Sequence, residues 1–290
     1  MRTSDLAAEP VMSNTDYERE IIAWRAARLK RLTAEDGWTT LVGLFWLEPG
    51  DNSFGRAATN RLVLENPGIP EQVGAFQVAG HEVRFVTAPG AQVMHAGRPV
   101  RAIGPLQDDA AGAPTVLSVG SVSFYLIERS GRLGIRVKDS QAEAHVHFRG
   151  LEYFPVDPQW RLAARVEPYS PLKKIPIINV LGMEEEMLSP GALLFEVDSK
   201  TYRLDAVLET GERDWFVMFA DQTNGQQTYG AGRFLYVAPP VNGETVIDFN
   251  QSYSPPCSFS AFATCPLPPP QNRLTLAVTA GEMKYAGADH

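Results

Sequence analysis

Asp221, Asp248 and Arg233, all in the last quarter of the chain, are the residue types that general acid–base chemistry uses. Two carboxylates held close together resist joint ionisation, so one acquires a raised pKa, and an arginine beside them can hold an anionic group. The same trio also suits a structural role, because an arginine bridging acidic loop ends is a common staple. Near them in sequence lie Thr223, Tyr229, Asn250, Tyr253, Cys257 and Asn272, which are candidates for binding a ligand. As a thiolate Cys257 would be a nucleophile, which requires a neighbouring base or cation. No histidine is close to it in sequence, and Pro256 and Phe259 favour burial. Three readings of Cys257 and Cys265 stand open: buried structural thiols, a nucleophile, or a disulfide closing a short loop, which in the cytoplasm would be redox-active or absent.

Other constellations carry less. His145 and His147 would share one face of a strand and offer two imidazoles to a metal, but His81, His95 and His290 are scattered and no third ligand emerges. No metal site is expected, and no residue pattern names a cofactor. Gly230 and Gly232 before Arg233 look like half of a phosphate loop, yet no helix follows them, so a bulge or tight loop fits better. Tyr229, Tyr253, Phe259, Phe262 and Trp215 would either line a pocket or close a core.

The elements that position these residues follow from their spacing. Residues 248–282 contain six prolines, which rules out a helix or a central strand and predicts an ordered strap or a mobile loop leading to a last strand over 273–279. Before it, residues 193–197, 201–208, 215–220, 233–237 and 245–250 read as strands joined by short turns, hence an antiparallel meander or barrel. Alternate connections of a meander lie at one end, so the loop 221–232 and the exit at Asn250 should bring the candidate residues together there. Asp248 and Asn250, two apart, should share a face.

Upstream, Thr15 and Glu18 have capping-box spacing, and Tyr17, Ile21, Trp24, Leu29 and Leu32 give helical periodicity, so an amphipathic helix is expected over about 16–32 after a disordered tail, 1–14. Arg25, Arg28, Lys30 and Arg31 read as its solvated face. The apolar run 38–47 reads as buried strand or turn under that helix, the two making one unit to residue 50. Short β-rich pieces separated by turn signals over 51–139 indicate a sandwich, assigned to 51–165. Residues 145–165, interrupted by Pro155 and Pro158, read as a connector between two β layers that Pro168, Pro171 and Pro176 continue into the meander region 166–290, and Glu184, Glu185 and Glu186 as an exposed acidic face.

The chain has 290 residues and a net charge of −8, with its basic residues dispersed. That argues against nucleic-acid and anionic-membrane partners. Residues 1–9 lack a signal-peptide pattern and no apolar run approaches the roughly 20 residues needed to span a bilayer, so a cytoplasmic location is expected. Oligomeric state is not encoded in any visible pattern.

Gly37-Trp38 with Gly43-Leu44-Phe45-Trp46-Leu47, Gly150 to Pro155, Asp221-Gln222-Thr223 with Thr228 to Arg233, and Asp248-Phe249-Asn250 through Cys265 to Pro269, Asn272-Arg273-Leu274 and Gly281-Glu282 resemble a bacterial and archaeal family, the domain of unknown function 1684. The resemblance spans nearly all of the chain after residue 15 and implies a shared fold, with no activity to carry over. Phe54-Gly55-Arg56 followed by Asn60 to Leu64 is similar to the opening of a forkhead-associated domain, a phosphothreonine-binding β-sandwich. Residues 70–78 lack that family's serine and histidine, which leaves a sandwich-like topology. The sequence thus points to a mainly β small-molecule-binding protein, with enzymatic acid–base chemistry open to it. The alternative is a protein-interaction or scaffold module that engages an acidic partner through Arg56.

Overall fold

The computed structural model describes residues 13–287. It opens with helix α1, Asn14–Leu32. The cap is Ser13, two residues earlier than the Thr15–Glu18 box: Ser13 Oγ accepts from Asp16 N and donates to the Asp16 carboxylate. The expected tail falls outside the described residues except for 13 and 14. Tyr17, Ile21, Arg28 and Leu32 are buried on one face of α1, whereas Leu29 is exposed. Arg28 therefore belongs to the packed stripe, because 17, 21, 28 and 32 keep the helical period.

Two sheets form the sandwich. The strands are β1 (Leu41–Trp46), β2 (Gly50–Gly55), β3 (Leu62–Val63), β4 (Gly74–Ala79), β5 (Glu82–Thr87), β6 (Met94–His95), β7 (Arg98–Pro99), β8 (Ala102–Ile103), β9 (Leu117–Val119), β10 (Val122–Arg129) and β11 (Arg132–Asp139). One sheet runs β1-β11-β10-β9-β6-β7 and the other β3-β2-β4-β5-β8. Phe54, Phe76, Phe85 and Phe124 meet between them, with ring centroids 4.8–6.0 Å apart. The apolar run at 38–47 belongs to this sandwich: β1 pairs with β11, Phe45 opposite Ile135.

A short helix, α2 (Glu143–Val146), leads to the second region: β12 (Arg161–Ile178), β13 (Glu184–Val197), β14 (Lys200–Ala206), β15 (Trp215–Phe219), β16 (Arg233–Val237) and β17 (Glu244–Asp248). The sheet order is β14-β13-β12-β17, beside a ribbon β15-β16. Where a proline-broken connector was expected, β12 is the longest strand described. β17 covers only Arg161 to Arg165, so Pro168, Pro171 and Pro176 lie where that side of β12 needs no ladder donor, and the pairing with β13 shifts register between Pro168 and Lys173. Glu184, Glu185 and Glu186 open β13 and are exposed as expected.

The meander order is corrected accordingly. β13 to β14 and β15 to β16 are hairpins, β14 touches β15 through the Val207–Phe216 bridge, and β17 pairs with β12 instead of β16. All six strands send apolar side chains into one core around Phe195, Phe219 and Phe249, so the region is a partly open barrel. No regular strand forms at 273–279, where Arg273 makes one bridge to Ala220. Its backbone bonds Ala220 O and Gln222 N, and at Val278 the buried polar groups described next. A third core, including Leu41, Ile177, Phe216, Phe234 and Cys265, joins sandwich, barrel and strap.

Candidate functional site

At the foot of the strap, Arg233 is completely buried and donates through Nη2 to Asp221 Oδ2 (2.8 Å) and Val278 O (2.8 Å), and through Nη1 to Ala280 O. Asp221 Oδ1 accepts from Thr223 N (2.8 Å), Thr223 Oγ1 (2.6 Å) and Val278 N (3.2 Å). The guanidinium lies over Phe219, 5.2 Å from the ring centroid. Burial pulls the Arg233 pKa down, and the Asp221 carboxylate opposes that pull. Gly232, just before it, has φ +102°, and a Cβ there would come within 2.6 Å of Phe219 O and Pro268 Cγ. A tight crossing accounts for this glycine, as the bulge reading expected.

Asp248 belongs to a separate cluster. Tyr17 Oη on α1 donates to its carboxylate (2.8 and 2.9 Å), Asn250 N donates to Oδ1 (3.0 Å), and Asn250 also bonds Tyr17 Oη and both backbone groups of Asp157. Burial raises the Asp248 pKa against these hydrogen bonds. The expected convergence is partial: Ser252 Oγ, within reach of both Phe249 O and Ala280 O, links the two clusters. The Asp221 and Asp248 carboxylates share no hydrogen-bond partner among the described residues. Asn272 lies in a third cluster, bonding Asp205 N, Asp205 O and Met218 O. A fourth pairs Arg28 Nε with Glu282 Oε2 (3.3 Å) and closes on Ser254, which accepts from Arg28 and donates to Glu282. Arg28 was expected on a solvated face; a strap that supplies both a carboxylate and a carbonyl can bury it.

Above this polar foundation a cleft of about 1390 Å³ opens between α1, the sandwich, the barrel and the strap. Tyr253 lines it; Asp221, Thr223, Tyr229, Arg233, Asp248, Asn250, Cys257 and Asn272 do not. The ring of Tyr253 sits 4.7 Å from the Arg28 guanidinium carbon, 6.4 Å from Trp24 and 6.4 Å from Tyr236, and its backbone pairs with Phe234. Phe216 adds to this aromatic floor, 5.2 Å from Tyr236. At one end Arg129 holds Asp109 with two bonds (2.8 and 2.6 Å), and Arg136, only 3% exposed, lies near Asp109, Thr264 and Trp38. Glu209, Glu212 and Asp214 also line the cleft. Tyr236 Oη donates to Glu209, whose pKa is raised by burial.

Sequence reasoning missed Trp24, Arg28, Arg129, Arg136, Glu209 and Tyr236. Arg28 had a signal in its helical phase. Arg136 had one in strand phase, since Ile135 and Val137 face the sandwich core and turn Arg136 toward the strap. Of the proposed aromatic lining, Tyr229 donates to Cys257 O (3.1 Å), Phe259 and Trp215 are buried in packing, and Phe262 is exposed. His145 accepts or donates at Thr39 Oγ1 (2.8 Å), and helix α2 turns it away from the strand geometry that would align it with His147. No group of three His, Cys, Asp or Glu able to hold a metal occurs among the described residues. Arg56 bonds its own loop at Ile69 O and lies 3.9 Å from Glu71. Among the described residues no helix is long and apolar enough to cross a membrane.

The family profile described as "Protein of unknown function (DUF1684)" matches residues 146–283. That span runs from the end of α2 through the barrel and strap; the motifs at 37–47 lie outside it, a narrower match than the resemblance implied. A solution NMR structure of an uncharacterized protein from Haloarcula marismortui is 35% identical, covering 49% of this chain and 80% of that one, with a TM-score of 0.41. No curated protein matches. With its barrel, strap and buried polar contacts lying within the matched span, the chain belongs to the DUF1684 family of proteins of unknown function.

Proposed function

We propose that this protein binds a small organic molecule in the cleft between α1, the sandwich and the barrel, with Tyr253 of the strap in its floor. The observation that carries this reading is the cleft's composition: aromatic rings from four separate elements, Trp24 of α1, Phe216 of β15, Tyr236 of β16 and Tyr253 of the strap, beneath a cavity bordered by arginines and acids. Small-molecule sites are commonly concave and apolar with a few placed polar groups, in volumes of about 300–1,000 Å³. This cleft has room for such a molecule together with water.

The ligand class that fits has a flat or apolar body to lie on Tyr236, which is 38% exposed, and polar groups toward the arginines or toward Glu209. Acid–base chemistry by Asp221 or Asp248 with Arg233 has little support, because neither carboxylate borders the cleft and both are occupied by their own partners. Glu209 is the better placed proton-handling group: burial raises its pKa, and its hydrogen bond from Tyr236 orients it.

The test is native mass spectrometry on protein taken directly from cells, paired with thermal shift against a library of aromatic acids and amines. A retained or stabilising compound is expected to lose at least about tenfold in affinity in Tyr236→Ala, the scale of one lost aromatic contact. A wild-type protein that carries nothing and is stabilised by no library member would overturn the proposal.

A further inference from the structure

Both cysteines lie on the strap, and the cleft uses one of them, Cys265, as part of its wall. They are in contact across the intervening residues: the backbone N–H of Cys257 donates to the Cys265 sulfur over 3.0 Å. Both are free thiols, Cys257 partly exposed and Cys265 buried. Burying two thiols for packing alone would not require them to meet, since a free cysteine packs as a small apolar side chain anywhere in a core.

The strap holds this approach from both sides. Around Cys257, Ser258 N and Phe259 N bond back to Pro255 O and Pro256 O (both 3.0 Å), turning the chain at the first cysteine. Between the cysteines, Ser260 Oγ is tied to Leu41 O (2.8 Å); beyond them, Cys265 O accepts from Val180 N (2.9 Å) and Leu267 N bonds Ile178 O (2.8 Å). The two sulfur-bearing residues are thus fixed at the neck of one short anchored loop.

We propose that Cys257 and Cys265 are a redox-active dithiol that exchanges with low-molecular-weight disulfides, Cys257 attacking and Cys265 resolving. The Cys257 thiolate attacks one sulfur of an external disulfide R–S–S–R, whose S–S bond breaks and releases one R–S⁻, which takes up a proton. Cys265 then gives up its proton and attacks the Cys257 sulfur, breaking the mixed disulfide and expelling the second R–S⁻, which is protonated in turn. Two protein thiols have lost two electrons and two protons, and the small disulfide has become two R–SH. The division of roles follows from surroundings: the hydrogen bond from Cys265 lowers the Cys257 pKa, whereas burial pushes the Cys265 thiol up. The partly exposed sulfur is therefore the attacking one. Closing the bridge ties the loop at the cleft wall.

The probe is glutathione disulfide, presented to the full chain in buffers of graded oxidised-to-reduced glutathione ratio. Free thiols are then counted by N-ethylmaleimide alkylation in denaturant and intact mass. The expected result is one transition from two adducts to none, two mass units lighter in the unalkylated chain. Cys265→Ser should instead accumulate one glutathione on Cys257. Cys257→Ser should react at least about tenfold more slowly, as buried thiols do. The wild-type chain decides the matter even if a variant fails to fold. Two alkylatable thiols at every ratio, or glutathione adducts with no internal bridge, would overturn the proposal.

Discussion

Phe54, Phe76, Phe85 and Phe124 fill the centre of the sandwich, where buried polar side chains such as Asn52 and Asn60 are few, whereas the strap reaches the barrel through a denser set, Arg233, Asp221, Asp248, Asn250, Asn272 and Glu282, all buried polar residues. The physical reason lies in the backbone. Sandwich strands satisfy one another's N–H and C=O groups in ladders, so their side chains are free to be apolar. A strap with six prolines and only isolated bridges must find side-chain partners for the buried backbone groups those bridges leave over. Val278 O, Ala280 O and Ser254 O each receive one. Apolar packing tolerates exchange among residues of similar volume, but a polar network of this kind specifies one arrangement and is unforgiving of partial loss.

The largest test of that contrast removes one charge. Arg233→Met leaves the Asp221 side chain without its cationic partner in a dry site and frees the carbonyls of Val278 and Ala280, and should cost about 3–5 kcal/mol in urea unfolding, the range for breaking one side of a buried pair. Adding Asp221→Asn should return part of that loss, because the unpartnered carboxyl goes with it. Additive losses in the double variant would show that the two residues act separately.

In the sandwich, Phe124→Leu keeps an apolar side chain of nearly the same size and should cost no more than about 1.5 kcal/mol by the same measurement. Combined with Arg233→Met it should be additive, since the two sites share no partner. A loss from Phe124→Leu as large as that from Arg233→Met would erase the difference between the two regions.

The same contrast decides what was legible in the sequence. The sandwich announced itself through alternation at residues 82–87 and 122–129, where side-chain period and burial coincide. β12 was hidden, because Pro168, Pro171 and Pro176 signal a break and their harmlessness depends on how far a distant strand, β17, extends beside them. The meander order failed for the same reason: local turns specify hairpins, but the partner of β17 is set by the overall wrap of the sheet. Asp221 and Arg233, and separately Asp248 and Asn250, lie in buried polar clusters at the foot of the strap. Their saturation was not legible, because their partners, Tyr17, Val278 and Ala280, come from up to 233 residues away. The cleft was invisible for a related reason, since its walls come from four elements whose sequence spacing says nothing of their meeting.

Glu282 offers the finest cut at the polar strap. It is fully buried beside Arg28, and burial raises its pKa while Arg28 and the Ser254 N–H pull it back. A carboxyl with a folded pKa above its unfolded value of about 4.3 holds an extra proton in the folded chain between those two values. Within that window the folded state binds more protons than the unfolded one, so this group's contribution to stability falls as pH rises, by at most about 1.4 kcal/mol per pH unit. Glu282→Gln cannot titrate. Wild-type stability minus that of Glu282→Gln, from urea unfolding between about pH 4.5 and 7, should therefore decrease with rising pH. The constant offset between the two reflects the exchange of a carboxyl for an amide in the hydrogen bonds with Arg28 and Ser254 and leaves the slope unaffected. A difference that increases with pH would place the folded pKa below the ordinary value, and would mean that Arg28, not burial, governs this carboxylate.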